Sequence, residues 1–399
     1  MEEICPKEKC TGCGACINVC PKKCITLAPD AMDALYPCID QDLCINCSLC
    51  EKTCPNNREG IFHTPHTCYA AWSKEEQTRY NSASGGVAAE LYKYALRNGI
   101  FTVGVCWDRD NGAYYIPVQN EADIKKVSNS KYVYSDSAGI YIVIKNKLEK
   151  GIPVLFIGLP CQVSGLYGYL KKDYQDLITV DIICHGVAPT EYLKQHIEQI
   201  EQRKKSITKR LSFRTPKYYT YTYTFTFTDK NDREFYKKTV NSDDNYQLGY
   251  HHALIYRENC YQCIYAKAER IADLTIGDFS GLGKFAECSY DHHNVSCVLV
   301  NSDKGKVIFE VLKNFLFIDE RPLEEALRVE KQLQHPSIPH PKRQMFCEYY
   351  KRSRNFKKSA DAALKKDKLI VKRDRIVIGL KKIVIKLLPM GLINTIRRK

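Results

Sequence analysis

The chain arranges its apolar residues in two periods. A spacing of three and four puts Ala88, Leu91, Tyr92, Ala95 and Leu96 on one side of a helix, entered through a polar, glycine-rich turn at 81–86. Ser82 or Ser84 is the expected cap of that helix. Short unbroken apolar runs read as buried strands: Ile100 to Trp107, Val154 to Gly158 and Ile178 to Cys184. Helices over 138–150 and 190–203 alternate with them, which predicts a mixed α/β core. Between 211 and 240 the period falls to two. There Tyr219, Tyr221, Tyr223, Phe225 and Phe227 alternate with threonines, and Asp229 to Asp232 supplies a turn, predicting a hairpin with one packed face. Asp273 to Gly283 reads as a strand running into a glycine-rich loop. Near the end, Ile376, Val377, Leu380, Ile383, Val384, Leu387 and Leu388 share a helical face. Arg375, Lys381, Lys382 and Lys386 lie opposite, and Pro389 and Gly391 stop the helix.

Composition narrows the class. With 399 residues and 44% hydrophobic content the chain buries a substantial core, so wholesale disorder is excluded. No apolar run approaches the roughly 18 residues of a spanning helix, and the start MEEICPKEKC is unlike a signal peptide. A cytoplasmic chain is expected. The net charge of +14 is unevenly placed: residues 351–399 hold 17 Lys and Arg against 3 Asp, so the first 350 residues are neutral. That neutrality argues against nucleic-acid stacking by the aromatic hairpin, and no nucleic-acid partner is expected. An apolar stripe bounded by lysines in a tail helix fits an anionic membrane surface, through residues 369–399, on the inner face of the plasma membrane. The competing readings are packing on its own domain and a nucleic-acid arm.

Twenty cysteines in a cytosolic chain point to metal ligation before disulfides. Eight stand in two matched runs, Cys10-x2-Cys13-x2-Cys16-x3-Cys20-Pro21 and Cys44-x2-Cys47-x2-Cys50-x3-Cys54-Pro55. This is the spacing of a two-cluster bacterial ferredoxin, in which the fourth cysteine of each run serves the other cubane. Cluster one then takes Cys10, Cys13, Cys16 and Cys54, and cluster two takes Cys44, Cys47, Cys50 and Cys20. The fourth cysteine is expected to open a short helix as it reaches across. Gly12 and Gly14 let the backbone approach the first cluster. Two zinc sites would want two close pairs each, not this crossed set. Cys5, Cys24 and Cys38 read as packing residues or spare thiols.

A second set, Cys161, Cys184 and the pair Cys260-x2-Cys263, is too loosely spaced to decide between a metal site and none. Its first two members leave predicted strand ends, where sites lie in α/β sheets. The turn before residue 88 offers a phosphate site on a bare helix start, with a plainly capped helix as the alternative.

Taken in order, Ser84-Gly85-Gly86, Ser130-Lys131-Tyr132, Gly158-Leu-Pro-Cys161-Gln162, Asp181-Ile-Ile-Cys184-His185-Gly186, Cys260-x2-Cys263 and Gly277-Asp278-Phe279 resemble one family. It is the beta subunits of coenzyme F420 (deazaflavin) hydrogenases and dehydrogenases. The fused ferredoxin also looks like members found in bacterial polysaccharide gene clusters. The resemblance implies a flavoprotein that binds FAD and uses an iron–sulfur cluster in the same domain. It makes Cys161, Cys184, Cys260 and Cys263 the candidate ligands of a third 4Fe-4S cluster. It makes Ser84, Gly85, Gly86 and Lys131 candidates for the flavin phosphates or ring. Leu159 and Ser280 depart from the family, where Thr and Trp are commoner, which bears on the substrate pocket.

The resulting expectation is an α+β chain in three parts: a two-cluster ferredoxin domain over 1–60, a mixed α/β flavin and iron–sulfur domain over 66–345, and a basic amphipathic tail over 351–399. Its function would be an iron–sulfur flavin oxidoreductase passing electrons between 4Fe-4S clusters and an organic substrate or deazaflavin through FAD, served by a donor or acceptor protein. A setting in polysaccharide biosynthesis follows from the same likeness. His185, beside a cluster ligand, is the candidate proton donor, with a structural hydrogen bond as its alternative. The alternative function is a non-catalytic electron-transfer subunit.

Overall fold

The computed structural model describes residues 3–215, 224–240 and 242–387, the last ten of these by backbone alone. Tyr219, Tyr221 and Tyr223 of the predicted hairpin, and Leu388, Pro389 and Gly391 at the predicted helix stop, lie outside the described residues.

The cysteine-rich domain carries one antiparallel hairpin, β1 (Ile25–Pro29) with β2 (Leu35–Ile39). A large sheet follows from β3 (Thr67–Ser73), β4 (Phe101–Asp108), β5 (Gly112–Pro117), β6 (Ser135–Asp136), β7 (Val154–Gly158) and β8 (Leu177–Ile182). A separate small sheet interrupts it in sequence, with β9 (Arg210–Ser212), β10 (Thr224–Thr228) and β11 (Glu234–Thr239). The large sheet then gains β12 (Leu274–Asp278), β13 (Ser296–Val300) and β14 (Leu316–Arg321). Its order is β14-β3-β13-β12-β8-β7-β4-β5-β6. The centre, β4, β7, β8 and β12, is parallel, and β12, β13, β3 and β14 continue it antiparallel on one flank.

A parallel centre covered by helices is buried on both faces, which is why its strands read as continuous apolar runs. Val154, Leu155 and Phe156 of β7 are 0–1% exposed, each stabilising the fold by roughly 1.5–3 kcal/mol relative to solvent. The helix Pro160–Leu170 links β7 to β8, and Thr190–Lys204 follows β8. The carboxyl ends of the parallel strands therefore share one edge, where Cys161 lies in the first turn of the helix after β7 and Cys184 in the loop after β8.

The small sheet differs from its one-faced expectation. Phe225 and Phe227 are buried against Phe213, Tyr236 and Tyr246. Thr224 and Thr226 on the opposite side are buried as well, with the Thr226 hydroxyl 2.6 Å from that of Thr215.

The tail is also not a single unit from residue 351 on. The helices Arg343–Ser353 and Phe356–Ala363 insert Phe346, Tyr350, Phe356, Ala360, Ala363 and Leu364 into the core beside Tyr192 and Phe225. Those apolar residues, hidden among lysines in the sequence, keep the tail on the body through Leu364. The helix Lys365–Leu387 continues from it, with Val371 still packed against the core and Leu369, Ile370, Ile376 and Val377 exposed. Asp367 of that helix accepts from His252 Nδ1 (3.0 Å) and pairs with His340 Nε2 (3.5 Å). His340 Nδ1 accepts the Lys342 N–H at 3.1 Å, so Nε2 carries the proton and the trio is a hydrogen-bonded clasp. Among the described residues, no helix is long and apolar enough to cross a membrane.

Candidate functional site

The two cysteine runs fold alike. Gly12 and Asn46 hold φ of 68° and 52°, and Gly14 and Ser48 hold 74° and 55°. Gly14 precedes the helix Ala15–Val19, which carries Cys16, and Ser48 precedes Leu49–Thr53, which carries Cys50. Cys20 and Cys54 close these helices in extended conformation; Cys54 also opens the short helix Pro55–Asn57 as expected, whereas Cys20 opens none. The turn that a crossing cysteine needs comes after the helix, where the chain leaves it toward the other run.

The thiols within each run's neighbourhood influence one another. Burial pushes the Cys13 thiol up to about 12, and Cys54 and Cys10 add repulsion. Cys16 is raised by burial and by Cys13, Cys10 and Cys54 in turn. Cys20, Cys44, Cys47 and Cys50 line one cavity together with Cys24. Two cysteines outside the pattern prove to be neighbours of these sets. The Cys5 thiol hydrogen-bonds with Cys10 and Cys54, lowering them to about 6 and about 7. Cys24 Sγ is 3.4 Å from Cys20 Sγ. Cys38 is exposed on β2.

The second set also gathers. Cys161 stands in the first turn of Pro160–Leu170, Cys184 in the loop beyond β8, and Cys260 and Cys263 in and just after the short helix Glu258–Gln262. Burial raises the Cys161 thiol most, with Cys263, Cys184, Cys13 and Cys260 adding to it in that order. Cys13 in that series is a cluster-one residue. The reason is Gly165, one turn beyond Cys161: a Cβ there would lie 2.9 Å from Cys13 Sγ. One helix thus touches both sets. Tyr141 and Ser137 hydroxyls donate to the Cys13 carbonyl at 2.8 and 2.7 Å and fasten the ferredoxin loop to the body.

Beyond Cys184 opens a cleft of about 690 Å³ at the carboxyl ends of the parallel strands. Ser84, Gly86, Lys131, Cys184 and His185 all line it. Gly86 (φ +91°) caps the helix Val87–Arg97 with no side-chain cap, so that helix presents its N-terminal N–H groups and positive dipole end to the cleft. Neither serine caps it, contrary to expectation: the Ser82 hydroxyl donates to Thr78 O (2.7 Å) and that of Ser84 to Val295 O (3.0 Å). Gly85 lies behind the wall, where a Cβ would meet Ala71 O at 2.2 Å. Its glycine serves packing of backbone on backbone.

The Lys131 ammonium donates to Val127 O (2.9 Å) and Ser128 O (2.6 Å), closing the C-terminus of the helix Glu121–Val127. Burial pulls it down to about 7, with Cys106 opposing. A ligand phosphate would share this ammonium with the helix end. His185 faces the cleft, its pKa depressed by burial against the pull of Glu330 and Asp278. Its carbonyl accepts from the Ser337 hydroxyl at 2.6 Å.

Several lining groups escaped sequence reading. Arg214 donates to Asp278 Oδ1 (3.0 Å), Ala83 O (2.6 Å) and Tyr132 OH (2.6 Å), latching the small sheet to the large one across the cleft. Tyr132 stacks on Tyr250 at 4.5 Å. Asn129, at φ 68°, has a buried Oδ1 with no hydrogen-bond partner. Only Asp278 and Tyr132 stood in a family motif. Arg214 sits in an ordinary strand exit and gave no local signal.

Models of the coenzyme F420 hydrogenase/dehydrogenase beta subunit match residues 68–140 for its N-terminal part and 152–326 for its C-terminal part. A 4Fe-4S dicluster domain matches residues 9–57. The chain belongs to the family of coenzyme F420 hydrogenase/dehydrogenase beta subunits. Within that family, a coenzyme F420-dependent sulfite reductase of Methanocaldococcus jannaschii is 30% identical over 180 residues, 42% of this chain and 26% of that protein. A component of the F(420)H(2) dehydrogenase of Methanosarcina mazei is 21% identical over 171 residues, 41% of this chain and 49% of that protein. The matches thus span about a quarter and about half of those two relatives. The ferredoxin part is 40% identical over 57 residues to an uncharacterized ferredoxin of M. jannaschii, 14% of this chain and 73% of that protein. In the solved F420-reducing [NiFe] hydrogenase complex from Methanosarcina barkeri, one chain aligns at 17% identity and a TM-score of 0.41, covering 76% of this chain and 91% of that one.

Proposed function

We propose that this chain is an iron–sulfur oxidoreductase that exchanges electrons between its ferredoxin-type clusters and an organic molecule in the cleft, with FAD bound there. The carrying observation is the helix Pro160–Leu170, whose Gly165 lies against Cys13 and whose Cys161 joins a thiol set that reaches the cleft wall at Cys184. The donor chemistry suits three cubanes: each set offers four thiols, the ligands that 4Fe-4S clusters take. The cleft volume lies within the range of cofactor sites.

FAD would supply the conversion between one-electron and two-electron chemistry. The N-terminus of Val87–Arg97 and Lys131 would hold its phosphates, Ser84 and Gly86 would shape the approach, and Tyr132 and Tyr250 offer an aromatic wall. His185, facing the cleft, would take up or return a proton at its imidazole. The relatives' descriptions make a deazaflavin the organic partner of choice; nothing in the cleft selects a polysaccharide. A chain that only relayed electrons would have little use for a cleft of this size. A soluble donor or acceptor protein would meet the exposed side of cluster two. The exposed apolar side of the tail helix, among its lysines, suits an anionic membrane surface, and equal flotation on anionic liposomes of the full chain and a chain ending at Leu364 would remove that part.

Anaerobic purification followed by iron, sulfide and flavin analysis tests the main proposal. About twelve irons per chain, four for each cubane, and bound FAD that accepts a hydride from reduced deazaflavin, leaving the deazaflavin oxidised, are expected. About eight irons with no flavin would overturn it in favour of a two-cluster relay.

A further inference from the structure

Two arginines are almost wholly buried near the thiol sets, and they differ in one respect. Arg270 pairs with the Asp181 carboxylate at 3.1 Å. Arg257, 1% exposed, forms no ion pair among the described residues. The carboxylate next to it in sequence, Glu258, is taken by Arg343 at 2.8 Å. Its guanidinium instead donates to Leu35 O (2.7 Å), Cys10 O (3.3 Å) and Asn259 Oδ1 (3.3 Å). It lies over the rings of Tyr36 and Tyr134, 4.7 and 5.3 Å from their centroids. Carbonyls and ring faces solvate a cation but do not neutralise it, and arginine does not give up its proton in proteins.

The nearest source of a counter-charge is the cluster-one loop. The guanidinium presses on the cluster-one loop, where a Cβ on Gly12 would be 3.2 Å from Arg257 Nη2. From the other side, the Cys260 N–H donates to the Arg257 carbonyl at 3.1 Å. A cubane on four thiolates is a net anion, and it becomes more negative by one charge on reduction. A fixed buried cation beside it favours the reduced form.

We propose that Arg257 is the counter-cation of cluster one, raising its reduction potential above that of cluster two so that an electron entering at cluster two settles beside the helix Pro160–Leu170. Arg257 is a positioning residue for charge; it ligates nothing. The proposal rests on the two-cluster ferredoxin domain alone, not on the third cluster or on flavin.

The test is an EPR-monitored titration with dithionite of anaerobically purified full-length protein, carried out on wild type, Arg257→Gln, Arg257→Lys and Asn259→Asp. Asn259→Asp keeps the arginine and its shape but places a carboxylate on Nε, so it decides the matter if Arg257→Gln does not load iron. In Arg257→Gln and Asn259→Asp, the reduced-to-oxidised ratio of one ferredoxin cluster should fall at least tenfold at the poise that half-reduces it in wild type, about 59 mV for a one-electron couple. Arg257→Lys should stay nearer wild type. Cys47→Ser, which alters cluster two, identifies the unshifted centre. Unshifted potentials in iron-loaded Asn259→Asp, or an equal shift of every centre, would overturn the role of Arg257. Wild type without ferredoxin iron would instead overturn the reading of the domain.

Discussion

Replacing Gly168 by alanine probes the seam between the ferredoxin domain and the sheet, because two opposing effects of known size meet there. Gly168 lies inside the helix Pro160–Leu170, and alanine is favoured over glycine in a helix interior by about 1 kcal/mol. Judged as a helix, the variant gains stability. The new methyl, however, would lie 2.3 Å from Thr53 O and 3.0 Å from Arg58 Nη2. Arg58 is held by Ser164 O at 3.2 Å but could swing aside. Thr53 offers no such escape, since the contact is backbone and its side chain is fully buried one residue before Cys54. Ordinary contact begins near 3.4 Å, so helix and ferredoxin domain must part by roughly 1 Å. Overpacking of this kind costs about 1–3 kcal/mol, which outweighs the helix gain and leaves a net loss of up to about 2 kcal/mol. Denaturant titration of iron-loaded protein should show that loss with iron content unchanged. Rapid mixing should show slower arrival of electrons in the cleft from pre-reduced clusters. A variant more stable than wild type by the full helix increment would refute the contact and with it the close approach of the two thiol sets.

Four other outcomes follow. Cys161→Ser should lower iron by about four atoms per chain and leave the ferredoxin EPR signals in place, as measured by iron analysis and EPR. Asp244 is fully buried between His196 Nε2 (2.9 Å) and the Tyr236 hydroxyl; burial alone would raise it, but these partners hold it at about 2, below its ordinary 3.8. Its stabilisation is therefore complete above about pH 4 and lost as pH falls toward 2, and Asp244→Ala, which also removes the cap on Gln247 N–H, should cost about 3–5 kcal/mol in urea titrations. A chain cut after Tyr350 should lose thermal stability sharply, because Phe356 and Leu364 leave the core, whereas one cut after Lys368 should melt like the full chain. Arg214→Ala should weaken FAD binding at least tenfold by fluorescence titration, since the latch across the cleft opens and Asp278 is left unpaired.

What sequence reading captured was what is encoded by local spacing. The ferredoxin runs fix four thiols within a few residues of backbone, and β7 was bounded to the residue because a short, fully apolar strand ends at Gly158. Tertiary uses of the same residue types were less legible. Gly85 and Lys131 lie in family motifs, yet the glycine exists for contact with Ala71 O and the lysine is spent on the carbonyls of a preceding helix. Both uses depend on where a distant strand and helix end. Net charge misplaced the tail boundary for a related reason. Phe356, Ala360 and Leu364 are few among lysines, but three buried side chains on one helical face outweigh many solvated charges. Arg214 and Arg257 were illegible because what matters about them is the absence or presence of a carboxylate far away in sequence.

The two ferredoxin loops show how orientation can nevertheless be written locally. Gly12 and Asn46 share one left-handed conformation, and so do Gly14 and Ser48, so backbone angle does not explain why only the first loop uses glycine. Contact does. A Cβ on Gly12 would meet Tyr134 at 2.9 Å, and one on Gly14 would meet the Ser137 hydroxyl at 2.7 Å, while Leu43, Ile45 and Cys47 of the second loop are exposed. Side chains are excluded where the loop faces the body and tolerated where it faces solvent, which makes cluster one the inner centre and cluster two the outer one. The substitutions should then be asymmetric. Ser48→Gly relieves a left-handed residue of about 1 kcal/mol of strain and should leave stability and electron transfer at or above wild type. Gly14→Ser adds that strain and displaces Ser137 from the Cys13 carbonyl, so it should lower stability by about 2 kcal/mol or more and slow transfer into the cleft. Equal effects of the two changes, measured by denaturation and by rapid-mixing reduction, would mean that both loops face the same surroundings and that the inner and outer clusters have been misassigned.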